Sequence, residues 1–243
     1  MPGSTSERLH HAASDFDHAW SSLPSPERTV LELAWASCLA GTTGVGAVIL
    51  DRSMSIIASG CNATRSCSRM GMPIESSYVA HAEINALARI PTDVSLKECL
   101  VLTSLMPCVM CAGAMVMAHV GAVRYIGPDP LFRELATLAT LNEFVGEQWP
   151  VYEAGPDDEW AIIAMFLGAH SKAVTKPNGP TIAALDRHEP EVAELLREAR
   201  RNGVVADAAA LGTSLSDFLR GSWHNISAAT DHRRSRQVSS HAS

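Results

Sequence analysis

Positive charge is scarce in these 243 residues: 19 Lys and Arg stand against 26 Asp and Glu, a formal net charge of −7. A protein that grips a polyanion clusters its cations against phosphates. Nucleic acid is therefore the less expected partner and a small molecule the simpler one. Long apolar runs are missing too. No stretch reaches the roughly 18 uninterrupted apolar residues of a membrane span, and the opening MPGSTSERLHHAASDFDHAW has no apolar signal core. The expectation is a cytoplasmic protein without membrane association. Cysteine is sparse as well: six thiols are too few for a disulfide scaffold, and a reducing compartment leaves them available for metal or catalysis. No internal repeat occurs. What remains, 47% hydrophobic and 19% charged, suits one main core with a small appendage.

Ser25, Pro26 and Glu27 offer a cap, a first-turn proline and an early acid, and apolar residues follow at helical spacing, which predicts a helix over 26–39. GVGAVILD and SIIASG are short β-branched runs around the polar turn at 51–53, the pattern of a hairpin. Residues 61–77 have no period and read as a loop. AHAEINALARI reads as a helix ended by Pro91, CLVLTS as a buried strand, AGAMVMAHV as a helix continuing to Gly121, and AVRYIG as a strand stopped by Gly127 and Pro128. This alternation predicts an α/β layered domain. Beyond it TKPNGP is a linker candidate. EPEVAELLREARRNG and SLSDFLRGSW read as two short helices, stopped by Gly203 and started by Ser214 respectively, and DHRRSRQVSSHAS reads as a disordered tail.

MPCVMC, residues 106–111, carries two thiols three apart after a proline. Alone it fits a redox pair, half a structural zinc clamp or part of a catalytic metal site. HAE at 81–83 supplies the partner. Cys108 and Cys111 at a helix start share a face, Pro107 suits the first turn, and the positive end of the helix favours thiolates. His81, heading another helix, adds an imidazole. Three ligands leave a fourth zinc position open, the mark of a catalytic site. Glu83, about 200° around the helix from His81, points elsewhere and can sit beside the water to move its proton. A structural zinc would need a fourth ligand, for which Cys61 or Cys67 is the convenient supplier. His119 reads as a helix-end or core histidine, and Met110, Met115 and Met117 as core filler. Trp149, Tyr152, Trp160 and Phe166 read mainly as packing, with an aromatic lid as the alternative.

HAE followed by PCVMC matches H-x-E…P-C-x-x-C, so the chain resembles the cytidine and deoxycytidylate deaminase superfamily. The likeness is greatest to its branch of guanine deaminases, fungal-type cytosine deaminases and tRNA adenosine deaminases. VGAVILD, IIASGCN, HAEINAL and PCVMCAGAM stand in that family's order, over about 26–169. The resemblance implies a three-layer fold with a central mixed sheet of about five strands, and a helical C-terminal extension outside it. It implies Zn²⁺ held by His81, Cys108 and Cys111, proton transfer by Glu83, and substrate contacts from Asn62 and the Ala82 backbone N–H. It also implies a homodimer. The domain plan that follows is an N-terminal extension over 1–24, a zinc deaminase domain over 25–171, and linker, short helices and tail over 172–243. Met106 stands where the branch commonly has glutamate, and the span from Asn62 to His81 is longer than in compact tRNA-acting relatives. The expected activity is hydrolytic deamination of a free nucleobase or nucleoside. A tRNA adenosine deaminase and a non-catalytic binding module are the alternatives.

Overall fold

The computed structural model describes residues 5–65, 71–156 and 158–241. In chain order the elements are α1 (Thr5–Ser22), α2 (Ser25–Leu39), β1 (Gly46–Leu50), β2 (Ile56–Cys61), α3 (Ala82–Leu87), β3 (Leu100–Leu105), α4 (Val109–Met117) and β4 (Ala122–Gly127). A 3-10 turn (Leu135–Thr137) leads to α5 (Leu138–Leu141), α6 (Glu143–Glu147), β5 (Val151–Ala154), α7 (Glu159–Thr175), α8 (Pro180–His188), α9 (Pro190–Asn202), α10 (Val204–Leu211) and α11 (Leu215–His241).

The five strands form one mixed sheet in the order β2-β1-β3-β4-β5, antiparallel from β2 to β3 and parallel from β3 to β5. The β1–β2 hairpin closes on Asp51, whose carboxylate accepts from the N–H groups of Ser53 and Ser55. β3 and β4 run parallel and need a crossover, which α4 supplies. β1 is buried on both faces, which is why it reads as an unbroken apolar run. Val48 and Leu50 join Leu102 and Ile126 under α2 and α7, whereas Ala47 and Ile49 join Val101 and Val123 under α3 and α4. The result is a three-layer fold with a five-stranded mixed sheet between two helical layers, as expected.

Glycine sets the spacing of the layers at two points. A Cβ on Gly60 of β2 would stand 2.2 Å from the Ala82 carbonyl oxygen and 2.5 Å from the Ala86 nitrogen, and one on Gly46 of β1 would stand 2.3 Å from the Val30 oxygen. Any larger residue would lift α3 or α2 off the sheet.

The C-terminal part departs from expectation. TKPNGP is a tight turn, not a linker: α7 runs through Thr175 and α8 begins at Pro180. Four helices follow α7 rather than two. Gly203 does end α9 in the left-handed region, at φ 67°, and Ser214 Oγ does accept from the Asp217 N–H at the start of α11. The expected disordered tail is helical through His241 among the described residues. Its polar look misled because Arg233 and Arg236 pair inward with Glu189 and Glu191. α1 was not foreseen either; it lays Phe16 against Trp223 of α11, with ring centroids 5.3 Å apart. These helices extend the same core that backs the sheet.

Gly60→Ala should lower folding stability by about 1–3 kcal/mol, the usual cost of overpacking a tight interface. A urea midpoint unchanged from that of the parent protein would contradict the close β2–α3 approach.

Candidate metal centre

His81 and Cys108 occupy equivalent places: each caps a helix from extended backbone, with ψ 158° and 171°. Their carbonyl oxygens accept the first helical hydrogen bonds of α3 and α4, from Asn85 and Ala112, both at 2.9 Å. Pro107 stands just before the Cys108 cap instead of inside the first turn. The two side chains therefore leave their helices at the same end and meet. His81 Nδ1 lies 3.5 Å from Cys108 Sγ and 3.5 Å from Cys111 Sγ, and the two sulfurs are 3.6 Å apart. Tetrahedral zinc with ordinary Zn–N and Zn–S bonds requires N···S separations of about 3.6 Å and S···S of about 3.8 Å. The three donors fit that metal in type and in spacing. Cys61 is not in the cluster, so it does not supply a fourth ligand, and Cys67 lies outside the described residues. Cys38 is pushed up to about 12 by burial and is an inert core thiol.

Glu83 is buried, 3% exposed, with Oε2 3.4 Å from Cys111 Sγ and Oε1 3.5 Å from Thr103 Oγ1. Burial holds its carboxyl above the ordinary range, which brings it closer to the conditions where a group both takes and gives protons. The hydrogen bond with Cys111, aided by His81, holds Cys108 down at about 4 despite its burial. The same bond and burial drive Cys111 up. A divalent cation bound there would displace protons from the sulfurs.

His81, Glu83, Cys108 and Asn62 all face one cavity of about 200 Å³. Asn62 is buried at the end of β2. Its Oδ1 accepts from Thr42 Oγ1 at 2.6 Å, from Thr64 Oγ1 at 2.9 Å and from the Thr64 N–H at 3.2 Å. Those donors occupy the oxygen, and among the described residues Nδ2 has no hydrogen-bond partner. Ala82, by contrast, is wholly buried at the first position of α3 and does not line the cavity with its side chain. Met106 does line it.

The far walls escaped the sequence reading. Asp129 and Phe132 come from the loop after β4, Lys172 from α7, and Thr181 and Leu185 from α8. Burial pushes Asp129 up to about 6, with the Leu131 N–H donating to it as the opposing influence. The Gly-Pro stop after AVRYIG marked a turn there, yet nothing in its local pattern says that the turn faces a metal. Asn85 was also missed: its Nδ2 donates to the oxygens of Cys61 and Ile74 and its Oδ1 accepts from the Ile74 N–H, which ties the loop before HAE to β2. Trp160 and Phe166 are packing residues as read, and Trp149 stacks on Tyr152 at 5.5 Å. His119 sits at a helix end and meets Gln148 at 2.7 Å. Met115 is core, but Met117 is 68% exposed, against expectation.

The mixed sheet thus delivers a Cys₂His donor set that could hold zinc, and a buried carboxylate, to one cavity. Residues 27–126 match the family model described as the cytidine and deoxycytidylate deaminase zinc-binding region. A stretch of 122 residues is 30% identical to the tRNA(Ile)-lysidine synthase of Deinococcus deserti, covering 49% of this chain and 21% of that protein. Another, of 108 residues, is 27% identical to the tRNA(Ile)-lysidine synthase of Deinococcus radiodurans, covering 43% and 17%. The chain thus matches about a fifth of the length of these curated relatives. Among solved structures, guanine deaminase from Nitrosomonas europaea is similar over 60% of this chain and 86% of its own, at 23% identity and a TM-score of 0.43.

Cys108→Ala should abolish stoichiometric zinc, measured by elemental analysis of the folded protein. Retention of one equivalent would break the three-donor assignment.

Proposed function

We propose that the chain is a zinc-dependent hydrolytic deaminase that replaces the exocyclic amine of a free nucleobase or nucleoside with oxygen and releases ammonia. The observation that carries this reading is the convergence of three metal donors, buried Glu83 and the amide of Asn62 on one cavity of about 200 Å³. When bound, zinc supplies Lewis-acid activation of the attacking water. Glu83 takes the proton that the water gives up, passes it to a ring nitrogen and later serves the departing amine. Its burial suits that double role. Asn62, its oxygen held by Thr42 and Thr64, offers Nδ2 as a donor to an acceptor on the heterocycle. The Ala82 N–H, in the first turn of α3 where helical donors have no partner within the helix, is the proposed second contact.

A free base is favoured over tRNA by the shape and charge around the cavity. α8 forms part of its wall, through Thr181 and Leu185, so the base must fit under the chain's own C-terminal helices. Of the late arginines Arg233, Arg234 and Arg236, which could have met phosphates, Arg233 and Arg236 are engaged with Glu189 and Glu191. The partial likeness to tRNA(Ile)-lysidine synthases keeps a tRNA adenosine substrate as the second reading. A non-catalytic module would have no use for a carboxyl buried beside the cluster. Exposed Val109 and Met117 on α4 support pairing of two copies, and the need for thiolates supports a reducing, cytoplasmic setting.

An ammonia-release screen over nucleobases, nucleosides, aminated triazines and tRNA tests the reading. Release from a free base or nucleoside supports it, release from tRNA alone selects the second, and no release from any leaves the binding module. Glu83→Gln should keep its zinc and lose activity by about a hundredfold or more; an active, zinc-loaded variant would overturn the proton-transfer role.

A further inference from the structure

A second cavity, of about 420 Å³, lies behind the loop that follows β4. Arg133, Arg187, His188, Arg233 and Arg236 line it, with Glu189. Four guanidinium groups here face few acids. Glu189 is held by Arg233 through two hydrogen bonds, at 2.5 and 2.9 Å, and Glu191 by Arg236 through two at 2.9 Å. Arg236 also comes within 3.7 Å of Glu189. Those pairs account for two arginines. Arg187 forms no ion pair among the described residues, and Arg133 meets the ring nitrogen of His188 at 2.6 Å and acts on Glu189 through its charge alone, without a hydrogen bond to it. Arg133 offers only donors, so that ring nitrogen is the acceptor, and loss of hydration, then the charges of Arg133 and Arg187, hold the imidazole below its ordinary range. The inner arginine, Arg233, is 5% exposed and fixed by its bidentate partner, so the cavity has a rigid floor and, at its rim, two arginines that hydrogen-bond no carboxylate among the described residues.

We infer that this cavity is a binding site for a phosphoryl anion, with Arg133 and Arg187 as its principal ligands. Planar forked donors match phosphate oxygens, and two such donors from different elements can close on one group. The site is separate from the metal cavity but shares its walls. Pro130 borders both; its neighbours Leu131 and Phe132 face the metal cavity while Arg133 faces the arginine one. α8 divides in the same way, Thr181 and Leu185 toward the metal, Arg187 and His188 toward the arginines. An anion that draws Arg133 and Arg187 together therefore steadies the loop and the helix that shape the substrate cavity. The inference stands whether or not the proposed deamination does.

Isothermal titration of the zinc-loaded full chain at low ionic strength, with inorganic phosphate, tripolyphosphate and a nucleoside triphosphate, tests it against a chloride control. One-to-one saturable binding is expected, weakened at least tenfold in Arg133→Gln/Arg187→Gln, whose altered residues are both exposed. Should the double variant fail to fold, each single change is expected to weaken binding severalfold. Equal affinity for tripolyphosphate and the nucleotide identifies the phosphoryl group alone as the ligand; tighter nucleotide binding identifies a nucleotide as its source. Hydrogen exchange should slow over 128–133 and 180–188 when the anion is bound. Absence of saturable binding by all three, or equal binding by the variants, overturns the inference.

Discussion

Two helices begin on candidate metal donors, His81 and Cys108, and the two side chains meet because β2 and β3 flank the same buried strand. The α3 start is held against β2 by the missing side chain of Gly60, and the Cys108 cap of α4 follows β3 after two residues. Donor separations of 3.5–3.6 Å leave little room for error. Moving α3 outward by an ångström would take His81 out of reach of both sulfurs. The rest of the site depends on that contact: Glu83 rides on α3, Asn85 anchors the preceding loop to the end of β2, and Asn62 leaves that end toward the same cavity.

The sheet and the ligand set were legible because their physics is local. β-branched runs between turns marked the first four strands, and the three-residue spacing of Cys108 and Cys111 is a property of one helical turn. HAE and PCVMC each sit at a helix start, so their direction could be argued without knowing the fold. β5 is short and largely exposed, with little apolar signal, and it went unread. The C-terminal arginines carried the opposite lesson. In sequence they look like solvated charge, and only tertiary packing brings Glu189 and Glu191, more than forty residues earlier, to meet them. The cavity's outer wall was hidden for a related reason: Asp129, Lys172 and Leu185 come from three segments brought together by docking, with no common period.

Chemistry and shape are therefore divided along the chain. The family-matched stretch, 27–126, contains every proposed metal ligand, Glu83, Asn62 and Ala82. Asp129, Phe132, Lys172, Thr181 and Leu185 all lie after it. Divergence in this later part can reshape what enters the cavity while leaving the metal chemistry intact.

The aromatic residues make the docking of the late helices visible. Trp20, Trp160 and Trp223 form a chain of ring contacts 5.4–5.9 Å apart across α1, α7 and α11, and Trp35 lies 4.6 Å from Phe218. Only Trp149, of the five tryptophans, sits elsewhere, stacked on Tyr152. Intrinsic ultraviolet emission from this protein is accordingly dominated by the seam between the sheet's helical backing and the two chain ends. A spectral shift on heating or in denaturant reports the parting of that seam, and the metal site needs a probe of its own.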